Sequence, residues 1–252
     1  MDKNRRMDRH RSAVFGDIHG NVAAIQAVLG DIGLYCPDTL ICLGDLVGYA
    51  AHPNETIEVV RSLDIPVVMG NYDYGIGFER DDCGCAYKDK TEKANGELSV
   101  AWTSAAVTSE NKKWLRTLRK EYRLEVSEVR IRFVHGSPRR INEYLFEDRD
   151  PASLARIARV ADCDVLVFGH THKPWSQKIG DVLFVNAGSV GKPKDGDSRA
   201  CWVSIEIAAD HSVTVDFHRV KYDLSSETTA IRAEAGLPDI YATDIETGGR
   251  PS

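Results

Sequence analysis

Apolar and polar positions along the chain follow two periods, and the switches between them outline its elements. The run Ala13-Val14-Phe15 reads as a short buried strand. Val22, Ile25, Val28, Leu29 and Ile32 follow at spacings of three or four, one face of a helix, with Asn21 as its N-cap. Residues 39–43 form a second short apolar strand. Pro53 suits the first turn of a helix that carries Ile57, Val60 and Leu63 on one side. Residues 66–69 read as a third strand. Strand, helix, strand, helix, strand with short connections predicts a parallel sheet with right-handed crossovers.

Periodicity then fails from Tyr74 to about Lys93, where glycines and charges predict a long irregular loop. Loops of that length in a compact domain tend to be functional or disordered. Helical spacing returns near residues 97–107 and 110–118, the second stretch capped by Ser109. From Tyr122 the period becomes two, and residues 122–126 and 129–133 predict a hairpin with one buried face. Asp150-Pro151 opens a further helix, and residues 165–168 form a fully apolar strand. Residues 175–179 and 182–185 read as a hairpin, as do 200–207 and 212–220. A last helix over about 227–235 stops at Gly236, and residues 247–250 are expected to fray. The architecture is α/β, with parallel strands early and antiparallel strands late. Two sheets with helices outside would bury both sets. The expected division is a disordered basic tail over 1–10, one domain over 11–240 and a C-terminal tail over 241–252.

Composition narrows the classes. Of 252 residues, 42% are hydrophobic, enough for a sizeable core. The net charge of -6 marks no surface for nucleic acid or membrane, so neither is expected as a partner. No run approaches the roughly 18 apolar residues of a spanning helix. The basic N-terminus, with Lys3, Arg5, Arg6, Arg9 and Arg11, lacks an apolar segment behind it and does not read as a secretory signal. Six scattered cysteines include no CxxC pair and read as reduced thiols of a cytoplasmic protein. Cys83 and Cys85 either line the entrance to a site or belong to an ordinary loop.

The chemistry-bearing residues share one placement. Asp17 and His19, Asp45, Asn71, His135, and His170 and His172 each follow the carboxyl end of an apolar strand. Open α/β sheets build their sites there, so adjacent strands would gather all seven. Each could instead be a turn carboxylate or a satisfied histidine. As a set, oxygen and imidazole donors without thiolate suit divalent ions such as Mn²⁺, Fe²⁺, Zn²⁺ or Ni²⁺. Seven donors are too many for one four- or five-coordinate ion. With one bridging carboxylate they suit two ions, an arrangement used for displacement at phosphorus.

The stretches GDIHGN, GDLVGY, GNYD, VHGSP, GHTH and NAGSVG, spanning Gly16 to Gly191, resemble in kind and order the calcineurin-like metallophosphoesterase family. The resemblance implies an αββα sandwich of two mixed β-sheets flanked by helices, around a dinuclear centre. It implies that Asp17, His19 and His172 hold one ion, that Asn71, His135 and His170 hold the other, and that Asp45 bridges. It also implies direct attack of a metal-bridging hydroxide on phosphorus, with Asn71, Tyr72 and Asp73 as the catalytic turn. Tyr72 departs from the family's commonest pattern, which has His there and uses it to help the leaving group. Asp73 is expected to orient its loop, and Asn186 and Ser189 to shape a turn. Arg139, Arg140, Lys173 and Lys192 follow the site stretches, and either bind substrate phosphate or stand solvated.

The expected activity is metal-dependent hydrolysis of a small phosphomonoester or phosphodiester, with nucleotides among the candidate substrates. A dinucleoside polyphosphate hydrolase and a phosphoprotein phosphatase are alternatives, although short loops offer no long docking groove. A protein-binding scaffold on the same fold is the non-enzymatic alternative, and the full donor set argues against it.

Overall fold

The computed structural model describes residues 9–249. The expected basic tail therefore lies outside the described residues up to residue 8. The remainder of it, Arg9 and His10, already belongs to the first strand.

The chain begins with β1 (Arg9–Phe15) and α1 (Val22–Tyr35), where Asn21 Oδ1 accepts the Ala24 N–H at 3.0 Å and caps the helix. Then come β2 (Thr39–Cys42), α2 (Pro53–Ser62), α3 (Asn71–Gly77), α4 (Lys90–Ala106) and α5 (Ser109–Leu115). The middle holds β3 (Glu121–Val126), β4 (Val129–Val134), α6 (Pro151–Ala161), β5 (Val165–Phe168), β6 (Trp175–Ile179) and β7 (Val182–Asn186). The last elements are β8 (Ala200–Ala208), β9 (Val213–Val220), α7 (Leu224–Ala233) and α8 (Ile240–Thr247).

Two mixed sheets result. The first runs β2-β1-β8-β9, with β1 and β2 parallel and the other pairs antiparallel. The second runs β3-β4-β5-β7-β6, with β4, β5 and β7 parallel. They share an inner core: Val14, Ile41, Val203 and Ile205 of the first meet Ile131, Phe133, Val165 and Val185 of the second. On the outer side of the first sheet, Ile25, Val28, Trp202, Ile231 and Ile245 join one cluster. On the outer side of the second, Leu154 and Ile157 of α6 cover Leu166, Phe168 and Phe184. Helix, sheet, sheet, helix is the layering that buries both faces of each sheet. Among the described residues no helix is long and apolar enough to cross a membrane.

Four local expectations are corrected. Residues 66–69 make only isolated bridges, Cys42 with Val67 and Val68 with Arg119, because the chain turns into α3 at Gly70. The irregular stretch expected over 74–93 shrinks to residues 78–89, flanked by α3 and α4. Gly75 and Gly77 are packing glycines rather than breakers: a Cβ on Gly75 would lie 2.5 Å from Cys83 Sγ, and one on Gly77 3.1 Å from Leu115 Cβ. The cap of α5 is Thr108, whose Oγ1 accepts the Asn111 N–H at 3.2 Å, not Ser109. The stretch expected as a C-terminal tail contains α8, whose Tyr241, Ala242 and Ile245 are buried in the same cluster as α1 and α7.

Candidate metal centre

Loops at the carboxyl ends of strands from both sheets converge. Asp17 and His19 follow β1, Asp45 follows β2, His135 follows β4, and His170 and His172 follow β5. Asn71 is the first residue of α3 rather than a strand-end residue. All seven side chains are buried. The loops are tight enough to force unusual backbone: φ is 50° at Asp17, 54° at His19, 51° at Asp45, 66° at His170 and 59° at His172. Left-handed backbone is costly for residues with a Cβ, and such conformations cluster at functional sites. Neighbouring glycines allow close approach. A Cβ on Gly169 would lie 2.3 Å from Asp17 Oδ2, and one on Gly70 2.0 Å from Asp45 Oδ1.

The donors fall into two groups, Asp17 with His19 and His172, and Asp45 with His135 and His170. In the first, His19 Nε2 and His172 Nε2 are 3.1 Å apart, and Asp17 Oδ1 lies 3.3 Å from His172 Nε2. In the second, His135 Nε2 is 3.0 Å from Asn71 Oδ1 and 3.3 Å from Asp45 Oδ2. Asp45 Oδ2 is also 3.7 Å from His19 Nε2, so this carboxylate stands between the groups.

The imidazoles are turned to present lone pairs. Nδ1 of His19, His135 and His172 meets the carbonyl oxygens of Val47, Leu43 and Lys192 at 3.0, 2.8 and 2.6 Å. A carbonyl only accepts, so Nδ1 carries a proton in each ring, and a neutral ring leaves its Nε2 bare. Two bare Nε2 atoms 3.1 Å apart repel unless a cation lies between them. His170 Nε2 is buried with no hydrogen-bond partner among the described residues. Burial also drives His19 down to about 3, and His170 and His172 well below the usual imidazole range, so all three are neutral. Burial raises the Asp17 carboxyl. At His135 burial opposes charge, yet the Asp45 and Asp17 carboxylates outweigh it and raise the ring to about 10. The centre thus favours added positive charge, and its donor set fits two divalent ions.

Surrounding residues hold this arrangement. Asp73 touches none of the donor atoms of the two groups. It accepts the backbone N–H groups of Asp45 and Leu46, and so positions the loop after β2. Asn186 Nδ2 donates to Gly169 O and Thr171 Oγ1, both at 2.9 Å, and Ser189 Oγ donates to Asp17 O at 2.8 Å. Tyr72 is buried against Gly48, its ring 4.7 Å from that of Tyr49 and 5.4 Å from that of His19, and its hydroxyl makes no well-formed hydrogen bond among the described residues. Burial raises its phenol well above the usual range, so it is neutral.

The expected substrate cations divide. Lys192 is not free: it is buried, with Nζ 2.5 Å from Asp244 Oδ2 and 5.0 Å from the centre of the Tyr49 ring. Arg139 is paired with Glu143, which also holds Arg149. Lys173 lies over the Phe146 ring at 6.0 Å. Arg140 is exposed and its side chain has no partner among the described residues. It lines a cavity of about 750 Å³ together with Cys85 and Tyr144. That cavity abuts the centre, since the Tyr144 ring is 4.1 Å from the His170 ring and Cys85 Sγ is 3.4 Å from Asn71 Nδ2. Cys83 is buried, and its carbonyl accepts from Asn71 Nδ2 at 2.9 Å. The six cysteines are all unpaired.

Sequence reasoning misses Lys194 and Tyr144. Lys194 is half-buried beside the centre, and burial with the nearby Lys192 lowers its ammonium to about 8. The only signal in the sequence is its place two residues after Lys192 in the loop that follows β7.

A profile of the calcineurin-like phosphoesterase superfamily domain matches residues 11–209. An uncharacterized protein of Methanocaldococcus jannaschii is 32% identical over 231 residues, covering 84% of this chain and 88% of that protein. A crystal structure of a metallophosphoesterase from Sphaerobacter thermophilus is similar with a TM-score of 0.72 and 28% identity, covering 96% of this chain and 100% of that one. A hypothetical protein from Pyrococcus horikoshii has the same fold, with a TM-score of 0.81 at 22% identity over 96% of this chain and 99% of its own.

Proposed function

The chain belongs to the calcineurin-like phosphoesterase superfamily, and we propose that it is a metal-dependent hydrolase of a small phosphate ester. The observation that carries the reading is Asp45 Oδ2, placed 3.3 Å from His135 Nε2 of one buried donor group and 3.7 Å from His19 Nε2 of the other. Asp17, His19 and His172 would hold one ion, Asn71, His135 and His170 the other, with Asp45 shared. Divalent ions so held supply Lewis-acid stabilisation and an activated water at neutral pH. Oxygen and imidazole donors without thiolate support Mn²⁺, Fe²⁺, Zn²⁺ or Ni²⁺.

The chain's own residues do the rest. Backbone carbonyls orient three imidazoles, Asp73 fixes the turn that carries Asp45, and left-handed loops keep the donors pointing inward. The cavity of about 750 Å³ beside Tyr144 supports a small substrate whose leaving group projects there. A neutral, buried Tyr72 offers no imidazolium to a departing alkoxide, which supports a preference for good leaving groups. Six unpaired thiols support a reducing compartment such as the cytoplasm.

The test is turnover of p-nitrophenyl phosphate and bis-p-nitrophenyl phosphate by protein stripped with chelator and reloaded with Mn²⁺. Activity that depends on the added ion is expected. Absence of turnover on both esters with two ions bound per chain would overturn the reading.

A further inference from the structure

We infer that Lys194 grips the reacting phosphate through a nonbridging oxygen, and that the preferred substrate is a dianionic phosphomonoester; this assignment rests on the phosphoesterase reading above.

Position comes first. The Lys194 N–H donates to His172 O at 3.2 Å, so the backbone that carries this side chain is fastened to the loop of a candidate ligand. Its charge also bears on Asp17, His170 and His172, members of both donor groups.

Its lack of a partner comes second. Other cations are paired: Lys192 with Asp244, Arg139 and Arg149 with a shared Glu143, Arg219 with Asp195, and Arg199 with Asp197, while the exposed Lys173 lies over the Phe146 ring. Among the described residues, the half-buried Lys194 side chain has no hydrogen bond and no ion pair. The stem is half-buried and the ammonium has no protein counter-charge, so an anionic ligand is the partner that it lacks. Arg140 is also unpaired, but it is exposed to solvent and loses little by remaining so.

Charge then selects the substrate class. Two divalent ions set against Asp17, Asp45 and one hydroxide would leave a surplus of one positive charge, the remaining donors being neutral once they hold metal. Lys194 raises the surplus to two. A dianionic monoester balances that surplus better than a monoanionic diester, and an ammonium is a strong point-charge partner for a phosphoryl oxygen.

The test uses the full chain loaded with Mn²⁺, as wild type, Lys194→Ala and Lys194→Arg. Three quantities are measured: Mn²⁺ per chain, the dissociation constant of inorganic phosphate by calorimetry, and kcat/KM on p-nitrophenyl phosphate and bis-p-nitrophenyl phosphate. Lys194→Ala should keep its Mn²⁺ and weaken phosphate binding by about tenfold or more. Its kcat/KM should fall further on the monoester than on the diester, and Lys194→Arg should recover part of both losses. Phosphate affinity within about twofold of wild type, or equal losses on both esters, would overturn the assignment while leaving the phosphoesterase reading intact. Wild-type protein that binds two ions yet neither binds phosphate nor cleaves either ester would overturn both.

Discussion

The Asp73 carboxylate accepts the backbone N–H of Asp45 at 2.8 Å, so one buried acid positions the peptide that carries another. The same Oδ2 accepts the Gly70 N–H at 2.9 Å, and Oδ1 accepts the Leu46 N–H at 2.9 Å. In return, Asp45 Oδ1 accepts the Tyr72 N–H at 2.8 Å. The loop after β2 and the first turn of α3 are thereby locked together, which fixes the carboxylate shared by the two donor groups. Burial and the adjacent Asp45 charge raise Asp73 to about 7, yet three N–H donors still address its oxygens.

Asp73→Asn tests the lock. An amide places an NH₂ group where an acceptor stood, so at least one of the three N–H groups loses its partner. Small displacements of a site can cost on the order of 10²-fold in rate. The variant is expected to fold, by circular dichroism, and to lose about that much in kcat. An unchanged kcat would mean that Asp45 does not depend on Asp73 for its position.

Asp45→Ala should reduce metal content below two ions per chain, measured by elemental analysis, and abolish detectable turnover. The donors on either side of it, His19 and His135, belong to different groups. Retention of two ions with near-normal turnover would refute the sharing of Asp45.

Tyr72→Phe removes a buried hydroxyl that makes no well-formed hydrogen bond among the described residues. Deleting an unsatisfied buried polar group is neutral or stabilising. The melting temperature should therefore hold or rise, with kcat/KM on aryl phosphates within about threefold of wild type. Tyr72→His should raise rates on alkyl phosphates relative to aryl phosphates, since an imidazole near its usual pKa can protonate a poor leaving group. A large loss in Tyr72→Phe on every substrate would show that the phenol is an essential donor.

Glu143 carries the pH dependence of the loop beside the cavity. Burial alone would raise its carboxyl, but Arg139, Ser137 and Arg149 outweigh it and hold it down to about 2. A depressed carboxyl contributes stability that is present above its unfolded pKa and is lost as pH falls through the folded value. The stability gap between wild type and Glu143→Gln should therefore be full at pH 6 and close between about pH 4.5 and 2. Its Arg139 partner is exposed and screened by solvent, so the gap should be about 1 kcal/mol or less. Thermal melts of both proteins across that range check it, and a constant gap would refute the ion pairing.

Local pattern carries far in this chain wherever burial follows a local period. Ala13-Val14-Phe15, residues 129–133 and residues 165–168 are strands whose partners cover them completely, so their apolar runs survive in the sequence. Each ends in a short Gly-containing turn, which is why Asp17, His135 and His170 stand out from residue order alone. The same logic misreads residues 66–69, where an apolar run serves a brief bridge ahead of α3. It also takes Gly75 and Gly77 for loop residues, because close approach by Cys83 and Leu115 leaves no local trace.

The sequence by itself determined the type and order of the donors, the strands that deliver them and the α/β layering, because each follows from short-range periodicity and chain punctuation. Tertiary structure alone decided which cations are paired. Lys192 and Lys194 are the same residue type two positions apart, but Asp244, 52 residues beyond Lys192, pairs with the first, and the second has no partner among the described residues. A counter-ion delivered by a distant helix is set by packing of α8 into the core, and nothing in the local pattern of residues 186–194 encodes it.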